Sequence, residues 1–189
     1  AIVTEGLRSK QLTQVDRYHP VTGDLEKLIT RNTTDAYSSP GFPVTHPNQY
    51  GKNVLWTIDN GNKILLNNST GSSPKGDLPF LISYDVHKKK ADTIWRCSEG
   101  YFENVVKVLD AEKGILLTSR ESETEVPNYW IRNTKLKMAD RQLTRFGNPY
   151  PQMEGVTKQK IKYKRADGVD LTGDLYLPKG YNKERDGKL

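Results

Sequence analysis

Short segments with alternating apolar residues, separated by clusters of Gly, Asn, Asp and Pro, follow one another along the whole chain. The sequence contains 15 Gly and 10 Pro, residues that end helices and form turns. This pattern is typical of short β-strands. We predict strands at 12–18, 25–30, 53–58, 63–67, 80–86, 93–97, 103–109, 115–119, 129–134 and 141–146, and a second group at 159–165 and 171–177. The predicted fold class is therefore all-β.

One of these segments also fits a helix. Phe102, Val105, Val106 and Leu109 lie at the i, i+3, i+4 and i+7 positions of a helical face. The run of β-branched residues in the same segment favours a strand. We predict a strand at 103–109.

Composition indicates a folded chain without a nucleic-acid partner. Only 34% of the residues are hydrophobic, but ten Tyr, four Phe and three Trp argue against disorder. The net charge of +6 is compatible with binding to nucleic acid. However, the basic clusters at 88–90 and at alternate positions from Lys158 to Lys164 fit a turn and a solvated strand face. Since basic and aromatic residues are not interleaved, we expect no nucleic-acid partner.

Cysteine content and hydropathy argue against several kinds of site. Cys97 is the single cysteine, so we expect neither an intrachain disulfide nor a cysteine-based metal site. We expect no membrane span, since no segment approaches about 18 apolar residues. We also expect no cofactor. These features leave the compartment open, and a periplasmic or secreted location is favoured if the source is bacterial.

Repeated strand pairs suggest the architecture. The pairs are Leu12–Arg17 with Leu25–Ile29, Leu81–Asp85 with Thr93–Arg96, and Tyr129–Asn133 with Gln142–Arg145. They begin about 69 and about 48 residues apart, which fits the outer strand pairs of successive propeller blades. Segments 50–97 and 101–146 would each be a blade, and residues 1–30 the end of an earlier one. We predict a partial β-propeller of about two and a half four-stranded blades, with further blades expected upstream.

The character of the sequence changes near residue 150. Pro and Gly are concentrated in a connector at 147–158. Alternating apolar positions at 159–165 and 171–177 then flank Asp167-Gly168, which is suited to a tight turn. We predict a β-hairpin that is followed by a polar loop from residue 182 onwards. The chain is therefore divided into two regions, 1–150 and 151–189.

The motifs present do not predict a catalytic or metal site. A nucleophile elbow requires Gly-x-Ser-x-Gly, whereas the segment GSSPKG at 71–76 has the wrong spacing and a proline at the turn. His19, His46 and His87 have no second ligand at metal-binding spacing. We expect neither a catalytic residue nor a metal ligand in this chain.

An acidic segment at 121–125 is the strongest candidate for ligand binding. Glu121, Glu123 and Glu125 alternate, so an extended backbone would place their carboxylates on one side. They are candidates to hold a substrate ammonium group or a cation. The alternatives are a solvated loop or neutralisation by Arg120 and Arg132. We select Glu121, Glu123, Arg120 and Arg132 as candidate substrate-binding residues.

Several segments resemble one peptidase family. The segment IKYKRADGVDLTGDLYLPKGY at 161–181 resembles the entry into the α/β-hydrolase domain of serine peptidases of the prolyl oligopeptidase superfamily (S9). Further segments are similar to its glutamyl-endopeptidase-like branch, in the same order: DAYSSPG at 35–41, GSSPKGDLPF at 71–80, YFENVV at 101–106, TSRESETE at 118–125 and PYPQ at 149–152. The resemblance covers roughly residues 12–189 and makes a structural role for part of the acidic segment more plausible.

The resemblance implies a Ser–Asp–His hydrolase in the intact protein. It also implies a propeller that covers the active-site mouth, restricts access and helps to bind peptides. In this family the catalytic groups follow the hairpin, so none is carried onto this chain, which we expect to be inactive alone. The implied partners are peptide substrates and the missing remainder of the propeller and hydrolase domain. Arg120, Arg132 or Arg145 is available to pair with a substrate carboxylate if cleavage follows Glu.

Two other functions remain open from the sequence. A stand-alone propeller-type module would bind proteins or peptides without enzymatic activity. Nucleic-acid binding would show a steep dependence of affinity on salt. We rank the first of these above the second.

Overall fold

The computed structural model describes residues 1–135 and 138–187, and these residues are predominantly β-structure. The predicted all-β class is therefore confirmed. In the described residues before 147, three larger sheets follow one another along the chain, together with two short two-stranded pairs, and a separate hairpin comes after them.

The first sheet is formed close to the amino terminus. It consists of β1 (Ile2–Leu7), β2 (Leu12–Tyr18) and β3 (Leu25–Asn32), which are antiparallel and adjacent in chain order. A 3-10 turn, Arg8–Lys10, joins the first two strands. We did not predict β1, which is short and mostly exposed.

The second sheet is the central one. The strands between residues 42 and 96 are β4 (Phe42–Pro43), β5 (Thr45–Pro47), β6 (Asn53–Leu55), β7 (Thr57–Ile58), β8 (Lys63–Asn68), β9 (Ser72–Ser73), β10 (Gly76–Asp77), β11 (Phe80–Asp85) and β12 (Lys90–Arg96). The sheet has the order β12-β11-β8, with β4 and β7 both paired to the other side of β8. The pairs β5–β6 and β9–β10 form small hairpins. The predicted strand 53–58 is interrupted at Trp56, whose backbone N–H donates to the carbonyl of Val44.

The third sheet follows directly. It consists of β13 (Phe102–Asp110), β14 (Ile115–Glu121), β15 (Asn128–Asn133) and β16 (Arg141–Gln142), antiparallel in chain order. The strand prediction for 103–109 is confirmed. The residues of the helix-like spacing do not share a face, because Val105 is buried whereas Phe102, Val106 and Leu109 are exposed. The register of β13 against β14 shifts between Val105 and Lys107. An extra residue at such a bulge lets Val105 and Val108 reach the same apolar cluster.

The predicted strand at 141–146 is shorter than expected. Only Arg141–Gln142 is a strand, although the Leu143 backbone N–H still donates to the Tyr129 carbonyl. Beyond that point, side chains replace the backbone ladder. The Tyr129 N–H donates to Thr144 Oγ1, and the Phe146 N–H donates to Asn128 Oδ1.

Strands β8 and β11 of the central sheet are buried on both faces, whereas β12 is largely exposed. Alternating residues of β8 and β11 divide between two apolar clusters. Ile64, Leu66, Phe80, Ile82 and Tyr84 pack with residues of the first sheet. Leu65 and Leu81 project the other way and pack with residues of the third sheet. The three sheets are therefore stacked face to face, and β11 is buried along its whole length.

The three strand pairs predicted as repeats are all neighbours in the structure. β2 pairs with β3, β11 with β12, and β15 with β16. In each sheet, the pair consists of the last two strands in chain order and lies at one edge of the sheet. The pairing of these strands is confirmed.

The predicted hairpin after residue 150 is confirmed. A 3-10 turn, Pro151–Met153, precedes β17 (Thr157–Lys164) and β18 (Asp170–Leu177), which pair with each other. Gly168 has φ of 87° and its N–H donates to the Arg165 carbonyl, so the predicted tight turn is confirmed. The Arg165 N–H donates to the Val169 carbonyl, which makes the connection three residues long.

The predicted loop after residue 182 contains one helical turn. This turn, α1 (Lys183–Asp186), begins at Asn182, whose side chain accepts hydrogen bonds from the N–H groups of Glu184 and Arg185. Asn is a favoured helix N-cap, so the sequence contained a signal for this element. Residues 188–189 of the predicted loop lie outside the described residues.

Gly71 is required for the turn after β8. Its φ is 61°, and a Cβ built there would lie 1.9 Å from the Leu78 carbonyl oxygen. Gly71→Ala is expected to lower the free energy of unfolding by about 2–3 kcal/mol, from the left-handed conformation and the clash. Gly51→Ala is the control, because Gly51 has φ of 69° but open space around it. Urea denaturation of both variants measures the difference, and equal losses would show that the clash is relieved.

Candidate functional site

Arg120 is held on the third sheet by aromatic side chains. It lies on β14, opposite Glu103 of β13 and Asn128 of β15. Its Cζ atom is 3.9 Å from the centroid of the Trp130 ring and 4.5 Å from that of Tyr101. Contacts of this type are favourable by about 0.5–2 kcal/mol when the cation is partly desolvated. The guanidinium position is therefore fixed by both rings.

Arg120 lines an open depression of about 320 Å³. We call this depression the Arg120 pocket. Its lining residues are Arg120, Thr124, Glu125, Val126, Asn128, Trp130, Gln142, Phe146 and Asn148. They come from β14, β15, β16 and the loops that follow β14 and β16, so the end of the third sheet builds the pocket.

The acidic segment is not extended, in contrast to our expectation. The backbone N–H of Ser122 donates to the Glu125 carbonyl, and the N–H of Glu125 donates to Ser122 Oγ. This turn separates the three carboxylates. Glu125 contacts Arg120, with 3.2 Å between Oε2 and Nη2, whereas Glu121 and Glu123 line a different depression. The predicted neutralisation of the segment by Arg120 therefore holds for Glu125.

Glu121 and Glu123 face a wide cleft of about 800 Å³. Lys75, Glu99, Tyr101, Phe102 and Lys158 also line it. Lys75 and Glu99 pair at 2.6 Å, and this contact raises the pKa of Lys75 above its ordinary value. The cleft therefore presents charged groups of both signs to solvent.

Arg132, the fourth candidate residue, is engaged in a buried ion network. Its Nε and Nη2 donate to the two carboxylate oxygens of Glu103 at 2.6 and 2.7 Å, and Nη1 donates to Asp140 at 2.6 Å. Thr118 Oγ1 also donates to Glu103. Burial lowers the pKa of Arg132, but the hydrogen bonds and charges of Glu103 and Asp140 outweigh burial and raise its pKa. The geometry favours a structural role for Arg132.

Sequence reasoning missed Glu103 as the centre of this network. Glu103 is only 5% exposed. The signal was its alternation with Val105 on a strand that packs against another sheet, which places a carboxylate on the buried face. A buried carboxylate requires a cationic partner, and Arg132 provides it from two strands away.

Cys97 lies beside this network as a buried thiol. Its Sγ accepts a hydrogen bond from the Glu103 N–H, and its single S–H proton has the backbone carbonyls of Ser98 and Tyr101 as possible acceptors. Burial raises the pKa of the Cys97 thiol, although the Glu103 N–H and Arg132 act in the opposite direction. The thiolate form, which is the nucleophile, is therefore disfavoured at neutral pH.

We expect native Cys97 to react with a maleimide at least about a hundredfold more slowly than in urea-unfolded chain, because the reaction requires local opening. Mass spectrometry of samples quenched over time measures both rates. A free cysteine introduced at exposed Val21, which is 87% exposed, is the control. Equal native rates at the two positions would contradict the burial of Cys97.

Residues 1–135 and 138–187 contain no group of three or more His, Cys, Asp or Glu side chains arranged to hold a metal ion. Within the same residues, no helix is long and apolar enough to cross a membrane.

Comparison with known proteins relates the chain to plant peptidases. It is 37% identical over 173 residues to a probable chloroplastic glutamyl endopeptidase of Oryza sativa subsp. japonica, and this match covers 86% of the chain and 18% of the rice protein. It is 36% identical over 204 aligned positions to the protein of the same description from Arabidopsis thaliana, a match that covers the whole chain and 21% of that protein. No family profile and no solved structure matches.

The similarity supports a relation to peptidases. The chain spans only about a fifth of the length of the curated relatives that it matches. Glutamyl endopeptidase is the description of those plant proteins.

Proposed function

We propose that the chain is a non-catalytic, peptide-binding part of a serine peptidase of the prolyl oligopeptidase superfamily, in its glutamyl-endopeptidase-like branch. The observation that carries this proposal is the similarity over the whole chain to a plant protein described as a glutamyl endopeptidase. In this proposal the intact protein hydrolyses peptide bonds, with cleavage after Glu as the expected specificity.

The stacked sheets support a propeller for residues 1–150. Successive antiparallel meanders pack face to face through alternating residues of their strands. Propeller blades are four-stranded antiparallel sheets that stack around a channel. In this proposal the second and third sheets are blades, and the first sheet is part of an earlier one.

The hairpin β17–β18 supports a hydrolase domain that begins within residues 151–189. Cross-strand pairs such as Tyr163 with Leu171 and Gln159 with Leu175 give the hairpin one largely apolar face. Ile161 and Tyr163 on that face are 40% and 51% exposed. Burial of this face against a neighbouring domain would be favourable by about 25 cal/mol per Å² of apolar surface. We propose that the hydrolase sheet covers it.

The role of the propeller is to gate the active site and to help bind peptides. In this proposal Glu121 and Glu123 contribute carboxylates to the cleft beside Lys158, and Arg120 contributes a cation to its pocket. Charged groups at such positions orient a peptide by charge-assisted hydrogen bonds.

The gene that encodes this chain provides the first test. We expect the reading frame after these residues to encode a Gly-x-Ser-x-Gly motif, followed by the Asp and His of a hydrolase triad. Sequencing the locus gives the answer directly. A stop codon without such a motif would favour a stand-alone peptide-binding module instead.

Reactivity of the isolated chain provides the second test. We expect a serine-reactive phosphonate probe to leave the 189-residue chain unlabelled, because the proposal places the nucleophile outside it. A known serine hydrolase in the same reaction is the positive control. Stoichiometric labelling of the chain would overturn the non-catalytic assignment.

A further inference from the structure

We propose that the Arg120 pocket binds a carboxylate group of a peptide. That the peptide is a substrate rests on the proposed function, but the binding itself is a property of these residues. The proposal assigns ligand recognition to one arginine, its aromatic support and the amides beside it.

The cation is pre-organised for this task. Arg120 is stacked on Trp130 and Tyr101, and its side chain is only 16% exposed. A planar guanidinium that is already fixed loses little conformational entropy when a ligand binds. The ring contacts lie on the faces of the guanidinium and Nε is buried, so the Nη groups are the donors left for a ligand.

The hydrogen-bonding capacity of Arg120 is largely unused. A guanidinium has five N–H donors. Within residues 1–135 and 138–187, its recorded partner is Glu125 at Nη2, and Nε is buried without a hydrogen-bond partner. A guanidinium fork matches the two oxygens of a carboxylate, and such bidentate pairs are among the strongest in proteins.

Amide donors lie next to the cation. Gln142 is directly opposite Trp130 in the sheet and lines the same pocket. The Asn148 side chain uses its oxygen to accept from the Tyr150 N–H, which leaves its NH₂ group free to donate. These amides supply neutral donors for a second carboxylate oxygen.

Glu125 acts as an internal occupant that a ligand displaces. It contacts Arg120 through one oxygen at 3.2 Å and is 49% exposed, on a loop. A contact through one oxygen of a half-exposed carboxylate is weaker than a bidentate carboxylate–guanidinium pair. A bidentate ligand carboxylate therefore competes with it effectively.

The pocket also has room for a side chain in which methylene groups bear the carboxylate. Its volume is about 320 Å³, at the lower end of ligand sites in proteins, which span about 300–1,000 Å³. Val126, Phe146 and Trp130 give it apolar walls for methylene groups. A glutamate side chain combines both features, and a peptide carboxyl terminus supplies only the anion.

Direct binding to the full 189-residue chain tests the proposal. The probes are three acetylated peptides. Two are amidated, acetyl-Ala-Glu-Ala-amide and acetyl-Ala-Gln-Ala-amide, and the third, acetyl-Ala-Ala-Ala, has a free carboxyl terminus. The indole N–H signal of Trp130, assigned with Trp130→Phe, is followed by NMR titration. We expect the Glu peptide to bind at least about tenfold more tightly than the Gln peptide. Tighter binding of the free-terminus peptide than of the Glu peptide would identify a terminal carboxylate as the source.

Three variants define the residues involved. Arg120→Gln is expected to reduce affinity for the Glu peptide at least about tenfold, and Glu125→Gln to increase it about threefold to tenfold by removing the competing carboxylate. Arg96→Gln is the matched control, because Arg96 stacks on Phe80 at 4.4 Å but does not line the pocket. The Arg96→Gln variant is expected to bind the Glu peptide with unchanged affinity. Far-UV circular dichroism checks the fold of each variant.

Several outcomes would overturn the proposal. Equal affinity for all three peptides is one, and unchanged or weaker binding by Glu125→Gln is another. The second is independent of whether Arg120→Gln folds. Neither outcome bears on the encoded hydrolase triad, so a failure here is distinguishable from a failure of the proposed function.

Discussion

Arg132→Ala is expected to lower the free energy of unfolding by about 3–5 kcal/mol, because it leaves a buried carboxylate without its cation. Glu103 is 5% exposed and receives two short hydrogen bonds from Arg132. Water cannot replace these donors at that depth without opening the stack of sheets. Guanidinium denaturation followed by tryptophan fluorescence measures the change.

Two controls separate this effect from the loss of any surface charge pair. Arg17→Ala removes an exposed pair with Glu26, in which both side chains are 39% exposed, and is expected to cost no more than about 1 kcal/mol. The double replacement of Glu103 and Arg132 by Met removes both charges and is expected to recover much of the loss. A loss from Arg132→Ala as small as that from Arg17→Ala would contradict the buried-network interpretation.

Leu81→Ala is expected to lower the free energy of unfolding by about 2–5 kcal/mol. Leu81 is 1% exposed and packs between the second and third sheets, against the cluster that includes Val105 and Leu116. Removal of its branched end leaves a cavity between two sheets whose backbones are fixed by hydrogen bonds, so collapse is limited.

The matched control for this variant is Leu25→Ala, since Leu25 is 56% exposed at the start of β3. We expect a change within about 0.5 kcal/mol, as for most surface substitutions. Denaturant titration of both variants gives the comparison. Similar losses at the two positions would show that the interface between the second and third sheets does not limit stability.

Strand positions could be predicted from the sequence because apolar and polar residues alternate along a strand that buries only one face. The pairs β2–β3, β11–β12 and β15–β16 were predicted from their turn residues and apolar faces alone. β11 was found despite being buried on both faces, because Leu81, Ile82 and Tyr84 are strand-forming residues next to Pro79. What alternation does not encode is a bulge. The shift in β13 after Val105 changes which residues face inward, so that Val105 and Val108 are both buried.

The candidate site was predicted in part. Arg120 contacts Glu125, as expected if arginine neutralises the acidic segment. The turn at Ser122 was not predicted, because alternating acidic residues suggested an extended backbone. The support for Arg120 from Trp130 and Tyr101 depends on cross-strand register and on the approach of the loop before β13. Both are tertiary features, and local sequence patterns do not specify them.

The chain-order pairing of the strands in each sheet has a kinetic consequence. In the first and third sheets, each strand pairs with the next strand along the chain. Even the central sheet draws on strands between residues 42 and 96. Pairing within a sheet closes shorter loops than the packing of one sheet on another, and closing a short loop costs less entropy. We therefore expect the packing of the sheets, which is non-local, to be the slower step in folding.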